Sequence, residues 1–267
     1  MFGFFKHRRR KRILAAPFPT AWLDFIERNV GFYACLPDVD RQELRGLVQV
    51  FLAEKTFEGC GGLELTDEMK VTIAAQACLL LLHRQTDIYP RLVTILVYPS
   101  AYLAKAVKPI GGPMVLEGET ARLGESWTSG VVVLSWNDVR AGASDIHDGQ
   151  NLVLHEFAHQ LDREDGAING TPLLEQQSQY IAWGRVLSAE YERLQRDSQA
   201  GRATVLDEYG ATDPAEFFAV ATECFFEKPR VLMKRHPALY EELKTFYRQD
   251  PAQLLPRGPS AVAGELT

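Results

Sequence analysis

In DVDRQELRGLVQVFLAEKTFEG, Leu44, Leu47, Val48 and Phe51 recur every three or four positions, the spacing of one helix face. PTAWLDFIERNVGFYACL, just before it, also reads as helical. LTDEMKVTIAAQACLLLLHR, just after it, is apolar on nearly every side, which predicts a helix at the centre of the fold. The period then changes. RLVTILVYP (Arg91–Pro99) is rich in β-branched residues and ends at a proline, so it predicts a strand, and GVVVLSW (Gly130–Trp136) predicts another. Between them, the glycine turns and short alternations of PMVLEGETARLGESWTSG suggest a hairpin. DVRAGASDIHDG reads as a loop, with Asp148 as the N-cap of the next helix, LVLHEFAHQLD. After a loop at REDGAINGTPLL, helical patterns follow in SQYIAWGRVLSAEYERLQRD, DPAEFFAVATECFFEKP and HPALYEELKTFYRQDP.

These elements predict an α+β fold: a small twisted sheet and several packed helices in one compact unit over 17–251. Within it, 17–85 is the helical portion and 86–251 carries the sheet and the core of the chemistry. The flanks 1–16, with its basic run Lys6–Arg12, and 252–267 read as mobile tails. Glycine-rich Glu58–Gly62 and Ile110–Pro113 are candidate covers for a site.

Composition narrows the classes. The net charge of -6 gives no reason to expect direct nucleic-acid binding, although the basic run alone suits an anionic surface. The longest apolar run is interrupted by Gln76 and falls short of the roughly 20 residues of a membrane span. The N-terminus is a poor signal peptide, because Pro17 and Pro19 break its apolar part. The four cysteines have no CxxC pair; Cys78 and Cys224 sit in apolar helical patterns as small core residues. A reduced, cytoplasmic protein is expected.

The chemistry concentrates in HEFAH. His155 and His159 stand four apart, so on a helix they share a face and can offer two imidazole nitrogens to one metal ion. Imidazole pairs suit zinc, where calcium and magnesium want oxygen ligands. Glu156 is turned about 100° from His155, beside the ion, the place of a general base for a metal-activated water. The third ligand stays open at this level. The extended motif HExxHxxGxxH is not met, because Asp162 and Asp165 occupy its last two fixed positions, although Asp165 remains a candidate oxygen ligand. In DPAEFFAVATECFFE, Glu216, Glu223 and Glu227 fall near one face, and period alone does not choose between Glu216 and Glu223. Glu216 also completes a capping box with Asp213.

GESWTSGVVVLSWNDV, NLVLHEFAHQLD and EYGATDPAEFFAVATECFF together resemble the Mlc titration factor A family of bacterial zinc metallopeptidases. Its catalytic core is similar to the protease domain of anthrax lethal factor. The likeness runs from about Pro17 to Pro251 and leaves KHRRRKR outside. It implies a zincin-like core holding one zinc per chain on His155, His159 and Glu216, with Glu156 as the base. It further implies that Tyr209 stands beside the metal, where a phenol can donate to the oxyanion of a tetrahedral intermediate. Weak aminopeptidase-like activity on peptides, a mainly cytoplasmic location and an Mlc-like transcription-repressor partner controlling sugar uptake are also implied. Two functions therefore compete. One is a zinc peptidase whose substrate lies along the strand at Val131–Trp136. The other is a zinc-stabilised regulatory protein that captures a repressor.

Overall fold

In the computed structural model, which describes residues 2–84, 86–101 and 130–256, the chain packs around the largely apolar helix. Four helices precede it: α1 (Phe2–Ala15), α2 (Thr20–Asn29), α3 (Gly31–Cys35) and α4 (Asp38–Glu54). The central helix is α5 (Asp67–Leu79), capped by Thr66, whose side chain accepts from the Met69 N–H; Val71 to Leu79 are all buried. Cys78 lies among them, and Cys224 is buried elsewhere in the same core.

Three parallel strands, β1 (Thr56–Gly59), β2 (Thr94–Tyr98) and β3 (Val131–Ser135), pair in the order β1-β2-β3. Thr94 of β2 is in register with Thr56 on one side and Val131 on the other. Ile95 and Val97 are fully buried and alternate with half-buried neighbours, the period-two pattern of a strand. β1 corrects the reading of the first third as wholly helical, and it takes up the start of the expected cover at Glu58–Gly62. Four residues are too few to show their own period, and their partner strand lies about forty residues further on. The expected hairpin and the glycine-rich Ile110–Pro113 lie outside the described residues.

After β3 the expected loop is instead α6 (Trp136–Ser144), which Ser135 caps by accepting from the Asp138 N–H. There follow α7 (Leu152–Asp162) with a 3-10 turn at Arg163–Asp165, and α8 (Gln179–Gln199) with a 3-10 turn at Glu208–Ala211. Next are α9 (Pro214–Glu227), α10 (Pro229–Arg235), α11 (Pro237–Tyr247) and α12 (Pro251–Leu254). Prolines at the start of α9, α10, α11 and α12 fall where a missing N–H costs nothing. α9 is the second buried spine. Its Phe218 meets Trp183 of α8 at 5.7 Å between ring centroids, and Phe225 stacks on Tyr247 of α11 at 5.6 Å. Each such buried phenyl contributes about 1.5–3 kcal/mol, enough to hold α9 firmly against its neighbours.

The basic N-terminus is not a tail. Residues 6 and 10 fall on one face of α1, where Lys6 reaches Asp87 and Arg10 forks onto Glu54 at 2.7 and 2.6 Å and also reaches Asp87. The run of cations hid a face whose acidic partners are remote in sequence. At the other end, Ala252 and Leu255 are buried, so the core extends past the expected boundary at 251. No described helix is long and apolar enough to cross a membrane.

Candidate metal centre

Helix α7 is capped by Asn151, whose side-chain oxygen accepts from the Leu154 N–H at 3.0 Å. The expected cap, Asp148, instead accepts from the Gln150 N–H and closes the turn before it. Asn151 is bound on every side: its amide nitrogen donates to Gln76, to the Gly142 carbonyl and to Glu227, at 3.0–3.1 Å. Such a saturated anchor fixes where the helix starts, and so which way His155 and His159 point.

Helix α9 brings the acid. Asp213 accepts from the N–H groups of Ala215 and Glu216 at 2.8 and 3.0 Å, which locks Glu216 into the first turn. The loop that follows α7 abuts this cap. Asp162 accepts from the N–H groups of Asn169 and Gly170 at 2.9 and 2.8 Å. Gly170 has φ 74°, and a Cβ there would stand 2.3 Å from the Pro214 carbonyl oxygen, so glycine is required.

The two helices bring three ligand atoms together. Glu216 Oε2 lies 3.0 Å from His155 Nε2 and 3.4 Å from His159 Nε2, and the two Nε2 atoms are 3.3 Å apart. Tetrahedral zinc with bonds of about 2.0–2.1 Å separates its ligand atoms by roughly 3.3–3.4 Å, so the donor set fits that ion in spacing and in chemistry. Burial works against a charged His155, but Glu216 and then Glu223 outweigh it and lift the imidazole to about 10. Burial also opposes ionisation of Glu216, yet the two histidines pull its carboxyl far below the usual range.

The ambiguity between Glu216 and Glu223 resolves spatially, because the two acids serve opposite nitrogens of one ring. Glu223 Oε1 lies 2.7 Å from His155 Nδ1, and its Oε2 accepts from the Asn151 N–H at 2.5 Å. Glu223 thus orients the histidine from behind. This role was missed in the sequence, although the seven-residue spacing from Glu216, two helical turns, was its visible signal. Glu227 lies deeper, accepting from Asn151 at 3.1 Å; burial, then Asp148 acting against that hydrogen bond, pushes its carboxyl up to about 9. Asp165 is not brought to the cluster and caps a turn at the Ala167 N–H. His159 Nδ1 is buried without a hydrogen-bond partner among the described residues, so the two histidines are held unequally.

Glu156 and Tyr209 border a cleft of about 510 Å³ that also exposes His155. The Tyr209 ring centroid is 6.1 Å from that of His155 and the residue is 55% exposed, so the phenol stands at the open side of the cluster. Burial first, and the nearby Glu216 second, raise the Tyr209 pKa and keep it a donor. Asp138, Asp148, Asp207 and Glu223 add further carboxylates to the wall, and no lysine or arginine is among the described lining residues. This is an acidic cleft that brings Glu156 and Tyr209 to its wall beside the candidate ligand group His155, His159 and Glu216.

The chain compares closely with known proteins. It is 42% identical to an uncharacterized protein of Synechocystis sp., over 91% of this chain and 89% of the relative. It is 36% identical to a protein named Mlc titration factor A from Serratia proteamaculans, over 83% of this chain and 86% of the relative. A protein of the same name from Yersinia enterocolitica is 33% identical, over 86% of each. The family model described as glucose-regulated metallo-peptidase M90 matches residues 4–248, so the likeness takes in the basic run that was expected to lie outside it. With the family model matched over residues 4–248 and relatives covered over most of their length, the chain belongs to the glucose-regulated metallo-peptidase M90 family.

Proposed function

We propose that the chain is a zinc-dependent peptidase of aminopeptidase-like preference, with His155, His159 and Glu216 as the metal ligands. The observation that carries this reading is the approach of those three ligand atoms to within 3.0–3.4 Å of one another. When bound there, zinc supplies a Lewis acid that polarises the scissile carbonyl and acidifies water. Glu156 takes the proton from the attacking water and returns it to the departing amine. Tyr209 donates its phenolic hydrogen to the developing oxyanion. Glu223 holds His155 with Nδ1 as donor, leaving Nε2 free to ligate. Among the described residues β3 has a neighbour only on its β2 side, and an extended peptide can be added along the other. The carboxylates of the cleft suit the free α-ammonium of a peptide N-terminus.

Zinc-loaded chain and its Glu156→Gln variant, assayed on chromogenic aminoacyl and short-peptide substrates, test this. Turnover is expected to fall by about 10²-fold or more in the variant, with zinc retained. Equal turnover would remove Glu156 from the mechanism. A second reading is favoured by the name of the Serratia and Yersinia relatives: capture of an Mlc-like transcription repressor in the cytoplasm, with sugar uptake as its outcome. Repressor binding that survives Glu156→Gln supports it; binding that needs Glu156 counts against it.

A further inference from the structure

A second cleft, of about 200 Å³, opens between the turn after α7 and helices α8 and α11. It is lined by Arg84, Glu164, Leu173, Leu174, Trp183 and Phe246. The Arg84 guanidinium lies over the Phe246 ring, 3.9 Å from its centroid, and its Nη1 is buried without a hydrogen-bond partner among the described residues. Among the described residues Glu164 Oε1 is likewise buried and unpartnered, while its Oε2 accepts a long contact of 3.4 Å from the Thr86 hydroxyl. Two opposite charges therefore line one cleft without meeting. One atom of each group is cut off from solvent with no hydrogen-bond partner among the described residues, a costly arrangement unless something else completes it.

What completes it must accept from Arg84 and donate to Glu164 at the same time. A water shares about 30 Å³ of liquid, so the cleft has room for several, or for one solute of amino-acid size. A guanidinium pairs best with a carboxylate, through parallel N–H donors. A carboxylate in a buried wall pairs best with an ammonium. One small molecule offers both groups a few bonds apart, with an apolar arm left for Leu173, Leu174 and Trp183. Glu175 and Glu242, also on the lining, disfavour anions that lack an amine.

We propose that this cleft is a binding site for a free α-amino acid, whose carboxylate is held by Arg84 and whose ammonium is held by Glu164. The site is separate from the metal cluster and does not depend on the peptidase reading. Calorimetric titration of the full zinc-loaded chain with leucine, 4-methylpentanoate and 3-methylbutylamine tests it without any substitution. Leucine binds, and each analogue, lacking one of the two charged groups, binds roughly tenfold or more weakly. In Glu164→Gln, leucine drops to the level of 4-methylpentanoate, which is itself unchanged. A melting curve reports whether that variant is folded, and the analogue series on the unaltered chain stands by itself. The proposal is overturned if leucine gives no binding heat at millimolar concentration, leaving a water-filled cleft. It is equally overturned if the three compounds bind alike, or if folded Glu164→Gln keeps the leucine affinity, which would place the ligand elsewhere.

Discussion

Replacing Glu223 by glutamine should loosen the metal site without removing any of its ligands. The carboxylate accepts from two donors at once, His155 Nδ1–H at 2.7 Å and the Asn151 N–H at 2.5 Å. An amide of the same shape has one acceptor oxygen, so one of those donors must face an NH₂ group. The lost contact is a hydrogen bond to a charged group, worth about 1.5–3 kcal/mol. Part of that cancels, because the same contact also holds His155 when no ion competes for its other nitrogen. The expected loss is therefore about tenfold in zinc affinity, the lower end of what removing such an outer partner costs. Competition against a chromophoric chelator at neutral pH reads this directly, with Glu156→Gln as a control that keeps the parent affinity. A Glu223→Gln affinity within about threefold of the parent would show that the outer carboxylate does not orient the histidine.

Tyr209→Phe should retain zinc and lower kcat by about 10²-fold, the usual cost of one oxyanion donor; steady-state kinetics with a parallel metal assay separates the two effects. Asp87 is opposed by burial but held down to about 2 by Lys6 and Arg10, so its contribution is complete above 3.8 and disappears as pH falls through 2. Asp87→Asn should therefore flatten the melting temperature between pH 4 and pH 2, and an unchanged acid limb would mean that α1 is not held by this pair. Glu227 is raised from 4.5 to about 9 by burial and Asp148, so its own contribution to stability is complete below 4.5 and declines as pH rises towards 9. The isosteric Glu227→Gln should remove that decline and melt higher than the parent at alkaline pH; parallel slopes in thermal melts would exclude a protonated Glu227.

The parts of the molecule legible in the sequence were those where two signals coincided. In HEFAH the metal-ligand spacing and the helix period are the same four residues, so one reading supported the other. The all-apolar segment before His83 declared its central position, because a helix without a polar face has nowhere else to go. Periodicity could not separate Glu216 from Glu223, since two turns of α9 bring both to the same side. What separates them is which nitrogen of His155 each meets, a property of helix packing. β1 was hidden because its partner is remote and its four residues are too short to alternate. Lys6 and Arg10 looked solvated because Glu54 and Asp87, which pair with them, lie far along the chain. Asn151 outranked Asp148 as the cap because only Asn151 has Gln76, Gly142 and Glu227 around its amide nitrogen.

The proposed metal ligands come from segments 61 residues apart, a separation that bears on the order of folding and metal binding. No stretch of the nascent chain holds more than the two histidines, so a captured ion cannot organise folding as it does in a zinc finger. Helices α7 and α9 must first dock through their own apolar faces, and only the finished scaffold presents three donors. The proposed metal loading would then follow folding. On the proposed ligand set, chelating the zinc is therefore expected to leave the helices packed, in contrast to a zinc finger.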